Sequence, residues 1–182
     1  MRIISGKARG TKLYTLEGNN TRPTLDRVKE SLFNIIQENI MGSVFLDLFS
    51  GSGAIGLEAA SRGARKVILC DKAKDAINII KKNIEKTHLE NSVELYSEDY
   101  EMLIKSKINE KIDITYIDPP YETDFAFKAI KILLEKKLLH QESIVIIETD
   151  RQEVIDQIEK LEIKIFDKRK YGRANLIFLK RK

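Results

Sequence analysis

The chain has 182 residues, of which 42% are apolar, with three prolines, one cysteine and a formal charge of +4. This length and composition suit one sizeable core plus an appendage. With Cys70 as the lone cysteine, a disulfide-built scaffold is excluded, Cys70 itself reads as core, and a reducing cytoplasm is the expected setting. The basic N-terminus lacks the continuous apolar stretch of a secretory signal, and no segment reads as membrane-spanning. His88 and His140 have no metal-ligand company, so no metal is expected.

In chain order, residues 2–5 and 11–16 are expected to pair as a small β-hairpin around Gly6 and Gly10. A helix follows over 25–40, with Thr24 as its N-cap and apolar residues at 28, 32, 35, 36 and 40 keeping the helical period. Residues 1–41 are therefore read as an N-terminal appendage and 42–182 as the main domain. In that domain strands are expected at 44–48, 66–71, 93–96, 112–117 and 143–148, separated by helices at 53–62, 74–87, 99–106, 124–137 and 151–160. Such alternation predicts an α/β fold built on a doubly wound parallel sheet. The last pair, 163–167 and 175–179, is joined by a turn too short for a crossover helix and must be antiparallel.

Two segments carry chemistry. In Val44-Phe45-Leu46-Asp47-Leu48-Phe49-Ser50-Gly51-Ser52-Gly53-Ala54-Ile55-Gly56 an apolar strand enters a Gly-x-Gly-x-x-Gly turn and then a helix. The pattern fits a dinucleotide fingerprint, and Asp71 ends the next strand where a ribose-binding acid belongs. The second segment is Asp118-Pro119-Pro120-Tyr121, behind the apolar run 112–117. Its prolines stiffen the turn and offer no N–H, so an aspartate and a backbone carbonyl stand ready to accept hydrogen bonds from an exocyclic amine while the tyrosine stacks on the ring. Hydride transfer has no use for an amine clamp. Nor does a nicotinamide site explain Asp47, four residues before the first glycine, whereas an S-adenosylmethionine site explains both.

Charge is unevenly spread. Residues 1–30 carry seven Lys and Arg against three acids, residues 31–167 carry 18 against 25, and residues 168–182 carry seven against none, giving +4, −7 and +7. Basic ends around an acidic middle suit a polyanion at the termini and a cationic cofactor at the centre.

These motifs resemble the class I methyltransferases with a D-P-P-Y corner. More closely, the chain resembles the bacterial RsmD family of small-subunit (16S) ribosomal RNA guanine-N2 methyltransferases. The family-level likeness lies in Met1-Arg2-Ile3-Ile4-Ser5-Gly6-Lys7-Ala8-Arg9-Gly10, in Arg22-Pro23-Thr24 with Asp26-Arg27-Val28-Lys29-Glu30 and Leu32-Phe33-Asn34, and in Lys170-Tyr171-Gly172. The resemblance implies a Rossmann-like class I methyltransferase sheet with an antiparallel last strand, S-adenosylmethionine as cofactor, and ribosomal RNA or the small subunit as partner, with the protein a monomer. It implies cofactor contacts from Asp47, beside the methionine ammonium, and from Phe49, Ser50, Gly51, Gly53, Lys72 and Asp118. Asp71 would take the ribose hydroxyls and Asp99 the adenine amine. Asp118 and the Pro119 carbonyl would draw the guanine amine toward tetrahedral geometry while Tyr121 stacks on the base. RNA contacts are expected from Arg2, Lys7, Arg9, Lys12, Arg22, Arg27, Tyr171 and Arg173; Arg22 and Arg27 suit the methionine carboxylate equally. Two other readings stand beside this one: a D-P-P-Y enzyme acting on adenine N6 or another amine, and a non-catalytic RNA-binding protein of the same fold.

Overall fold

The computed structural model describes residues 1–16, 23–120, 124–172 and 174–182. After an N-terminal segment come helix α1 (Pro23–Ile40), strand β1 (Val44–Asp47), α2 (Ala54–Ser61), β2 (Lys66–Asp71), α3 (Lys74–Thr87), β3 (Val93–Ser97) and α4 (Tyr100–Ser106). The chain continues through β4 (Ile112–Ile117), α5 (Phe125–Glu135), β5 (Leu139–Thr149), α6 (Gln152–Ile158), β6 (Ile163–Tyr171) and β7 (Ala174–Arg181). One seven-stranded sheet runs β3-β2-β1-β4-β5-β7-β6. β1 pairs in parallel with both β2 and β4, which puts the topological switch point between β1 and β4, where α/β sheets gather ligands. β7 enters antiparallel between β5 and β6.

The central strands read as continuous apolar runs because helices cover both faces. One cluster joins Leu46, Ile68, Ile117 and Val145 to α4, α5 and α6; the other joins Phe45, Val67, Ile114, Ile146 and Phe178 to α1, α2 and the N-terminal segment. α2 is apolar nearly all round, and only Ile55 among its residues escapes full burial.

Three details depart from the sequence expectations. α1 begins at Pro23, so Thr24 lies inside the helix and does not cap it; a proline is tolerated in a first turn, where its missing N–H has no partner to lose. Residues 1–16 follow a hairpin course but form a single antiparallel bridge, Arg2 with Lys12, supported by hydrogen bonds from Ile3 N–H to the Thr11 carbonyl and from Leu13 N–H to the Met1 carbonyl. β6 runs through Lys168, Arg169 and Lys170 to Tyr171, longer than the apolar pattern suggests, because an edge strand can turn charges to solvent.

The N-terminal segment borrows its core from the sheet domain. Ile3, Ala8 and Leu13 are buried in the α1–α2 cluster. Lys7 N–H donates to the Ser61 carbonyl and Ala8 N–H to Ser61 Oγ. Glu58, fully buried on α2, accepts from Ile4 N–H at 2.8 Å and Ser5 N–H at 3.0 Å. Its charge is met by Lys29 Nζ at 3.0 Å and Arg62 Nε at 2.8 Å. A buried carboxylate needs such company, and this one fastens residues 4–5, α1 and α2 together.

Candidate active site

The loop after β1 is held by its neighbours' backbone. Ser50 Oγ donates to the Asp47 carbonyl and accepts from Cys70 N–H, while Ser50 N–H donates to the Cys70 carbonyl. Gly51 N–H donates to Asp71 Oδ2, and Ala73 N–H to Asp71 Oδ1, both at 2.9 Å. Asp71 therefore ties the glycine turn to the end of β2. Gly53 sits at φ 78, a conformation that side chains with a Cβ resist. Gly56 allows close approach of α2 to the sheet, since a Cβ there would fall 2.2 Å from Leu69 Cδ2.

Asp47, at the end of β1, is 1% exposed. Its Oδ2 accepts from Gly56 N–H at 3.2 Å, and its Oδ1 has no partner among the described residues. Burial pushes this carboxyl up to about 7, against the Gly56 hydrogen bond and with help from the charge of Asp71.

A cavity of about 580 Å³ opens over the carboxyl ends of β1, β2, β4 and β5, within the size range of small-molecule sites. Its lining includes Asp47, Asp71, Glu98, Asp99, Asp118 and Glu148, but among the described residues only Lys29 and Lys72 as cations, and Lys29 is already paired with Glu58. The cavity thus favours a cationic guest. Its aromatic wall is Phe49, Tyr100 and Phe125; the Phe49 and Phe125 rings stack at 6.1 Å, and Lys72 Nζ lies 5.8 Å from the Phe125 ring centre. Met1, Thr15 and Leu16 of the N-terminal segment, with Val28 and Leu32 of α1, close the opposite side.

Asp118 follows β4 and faces the open pocket with Pro119 and Pro120 beside it. The surrounding protein, then the charges of Glu148 and Asp47, hold its carboxyl well above the usual carboxylate range, though its solvent-facing side moderates that push. Tyr116 donates its hydroxyl to Glu148 Oε2 at 2.6 Å.

Of the residues singled out from sequence, Asp47, Phe49, Ser50, Gly51, Asp71, Lys72, Asp99, Asp118 and Pro119 all line this cavity. Gly53 does not; it is buried against Ile80 and Leu57 and shapes the turn from behind. Asp99 also caps α4, accepting from Glu101 N–H at 2.9 Å. Arg2, Lys7, Arg9, Lys12 and Arg27 are exposed, and the Tyr171 hydroxyl meets Ser31 Oγ of α1. Tyr121, Arg22 and Arg173 lie outside the described residues. Sequence reasoning missed Glu58, Lys29, Tyr116 and Glu148. A lone acid in the apolar run of α2 was a signal for the first, and an acid at the carboxyl end of the fifth strand was one for the last. Among the described residues no helix is long and apolar enough to cross a membrane, and no cluster of His, Cys, Asp or Glu suits a metal.

A sheet of this order, whose β7 runs counter to the other six strands, carries the switch-point site of class I methyltransferases, and the chain is an S-adenosylmethionine-dependent enzyme of that class. The family described as conserved hypothetical protein 95 matches residues 1–180, and the chain belongs to it. Among its relatives is ribosomal RNA small subunit methyltransferase D of Haemophilus influenzae, 37% identical over 153 residues, which are 83% of this chain and 79% of that protein. The Escherichia coli K12 protein of the same name is 32% identical over 150 residues, 82% of this chain and 75% of the relative. A crystal structure described as a methylase of Haemophilus influenzae superposes with a TM-score of 0.79 at 30% identity, covering 99% of this chain and 97% of the other.

Proposed function

We propose that the chain methylates the N2 amine of a guanine in small-subunit ribosomal RNA, acting as a monomer in the cytoplasm. The observation that carries this reading is that one acidic cavity joins the Asp47–Asp71 end of the sheet to Asp118 and Pro119. The curated relatives named for small-subunit ribosomal RNA support the choice of substrate.

The donor set fits S-adenosylmethionine. Asp47 offers a buried acceptor oxygen with no donor among the described residues, suited to the methionine ammonium. Asp71 spends one lone pair of each oxygen on the loop and keeps others for ribose hydroxyls. Asp99 is assigned to the adenine amine, with Phe49, Ser50, Gly51 and Lys72 around the rest. When bound, the cofactor supplies a methyl group made electrophilic by its sulfonium.

The chain's own part is to place the acceptor. A guanine amine is a poor nucleophile because its lone pair is delocalised into the ring. Asp118 and the Pro119 carbonyl accept its two N–H bonds and orient the lone pair, and Tyr121 stacks on the base. The exposed cations Arg2, Lys7, Arg9, Lys12 and Arg27 take RNA phosphates, joined in this proposal by Arg22, Tyr171 and Arg173. Met1, Thr15 and Leu16 of the same N-terminal segment reach the cavity, so phosphate binding and base entry share one side of the molecule.

The test is nucleoside mass spectrometry of small-subunit ribosomal RNA from cells with and without the gene, repeated with purified protein and unmethylated RNA or subunits. N2-methylguanosine is the expected product. N6-methyladenosine would transfer the chain to the adenine reading, and absence of any product would favour a non-catalytic RNA-binding protein.

A further inference from the structure

We propose that Glu148 makes this site read guanine, by accepting the N1–H that flanks the amine to be methylated. The inference rests on the reaction proposed above and names the residue that sets its base specificity.

The placement comes from sheet register. Tyr116 and Ile117 of β4 pair with Ile146 and Ile147 of β5, so Asp118 and Glu148 are the residues that follow the last rung on each strand, and Glu148 shares the face of Ile146 and Tyr116. Neighbouring strands lie about 4.8 Å apart. Asp118 and Glu148 both line the cavity, and so does Asp47, which pairs with Tyr116 from the other flank. A base entering here meets the carboxyl groups of Asp118 and Glu148 together.

The two purines with exocyclic amines differ at the atom next to that amine. In guanine, N2 is flanked by N1–H, a donor; in adenine, N6 is flanked by N1, an acceptor. With the amine on Asp118, the adjacent ring position falls on the Glu148 side. A carboxylate there completes a pair of hydrogen bonds with guanine, whereas with adenine it sets two acceptors against each other. The Tyr116 hydroxyl fixes the choice, since it donates to Glu148 Oε2 at 2.6 Å and thereby holds this group as an acceptor. Tyr116 is 4% exposed, and burial followed by the nearby carboxylates keeps its hydroxyl protonated and donating. One oxygen is occupied, and a carboxylate retains acceptor capacity for the base.

The test uses 2-aminopurine, which keeps the C2 amine but has no N1–H. Unmethylated small-subunit ribosomal RNA, or subunits reconstituted on it, carries either guanine or 2-aminopurine at the mapped position. Wild-type enzyme is expected to prefer guanine in kcat/KM by on the order of 10²-fold. Glu148→Gln can still accept from Tyr116 but turns an N–H toward the base. It should lose about 10²-fold on guanine, shrink the guanine preference at least tenfold, and leave S-adenosylmethionine affinity within about twofold. The missing O6 of 2-aminopurine is common to both enzymes, so the change in ratio isolates the N1 contact. Glu148→Asp, a shorter acceptor, should turn over more slowly yet keep its preference within about threefold of wild type. An unchanged preference in folded Glu148→Gln overturns the proposal while N2-methylguanosine formation upholds the reaction. If Glu148→Gln fails to fold, a collapsed preference in Glu148→Asp overturns it instead. If wild-type enzyme forms another product, the reaction and this inference fall together.

Discussion

In the proposed site, Asp47 makes cofactor binding a proton-linked event. Its carboxyl is buried and pushed up to about 7, chiefly by desolvation, and its Oδ1 has no donor among the described residues. Below that value the cavity presents a neutral acid. An ammonium group placed on it favours the charged form, so binding must expel the proton, and affinity must fall as pH drops below about 7. If the bound carboxyl returns to the ordinary range near 4, the dissociation constant at pH 5.5 is about 15-fold weaker than at pH 7, or about 1.6 kcal/mol. The window stays below the α-amino titration near 7.7–8.0, where loss of the ammonium would work in the opposite direction. Isothermal titration of S-adenosylmethionine at pH 5.5, 6.2 and 7, in buffers of different ionisation enthalpy, reads both the affinity and the protons released. About half a proton should leave at pH 7, and nearly one at pH 5.5. Asp47→Asn should bind weakly and with no such slope. A wild-type affinity constant within twofold across this range, or a slope that persists in Asp47→Asn, refutes the reasoning.

Five further outcomes follow from the same geometry. In the cofactor-free protein, Asp47 favours folding fully below about pH 4, and that contribution is lost as pH rises toward 7; Asp47→Asn should therefore stabilise the protein about 2 kcal/mol more at pH 8 than at pH 5.5 by urea denaturation. Glu58→Ala leaves Lys29, 2% exposed, without its counter-ion and two N–H groups without an acceptor, and should cost about 3–5 kcal/mol in the same assay, while a double change of Glu58 and Lys29 to Met costs much less. Asp71→Ala removes the ribose acceptor and the fastening of Gly51, so calorimetry should show a loss of about 1.5–3 kcal/mol in cofactor binding. Asp118→Ala should nearly abolish methyl transfer yet retain cofactor binding, and Arg9→Ala with Lys12→Ala should lower RNA affinity and its salt slope by about 1.5 without changing cofactor affinity.

What could be read from sequence and what could not divides by how local the physics is. The order of strands and helices follows apolar periods and the glycine turn, each written within a dozen residues, and the antiparallel β6–β7 pair follows from the shortness of its connection. That Asp71 and Asp118 would meet at one cavity was legible because each stands at a strand's end beside a motif. Glu58 was not, because its partners Ile4, Ser5 and Lys29 come from 54, 53 and 29 positions away, and only their convergence explains an acid inside α2. That convergence also explains why residues 2–16 need so little strand pairing: their backbone N–H groups are met by Glu58 and Ser61.

Glu148 was missed for the same reason, since its meaning depends on the rung that sets it beside Asp118 and on a tyrosine one strand away. Buried polar groups that fasten the fold have their partners within it, as Glu58 does. Asp47 breaks that rule: it lines a cavity, and its buried Oδ1 has no donor among the described residues. A native chain tolerates such a deficit where a ligand supplies the missing charge. The difference between Glu58 and Asp47, two buried acids eleven residues apart in sequence, is therefore the difference between a structural post and the binding group proposed above, and it is visible only once their neighbours are in place.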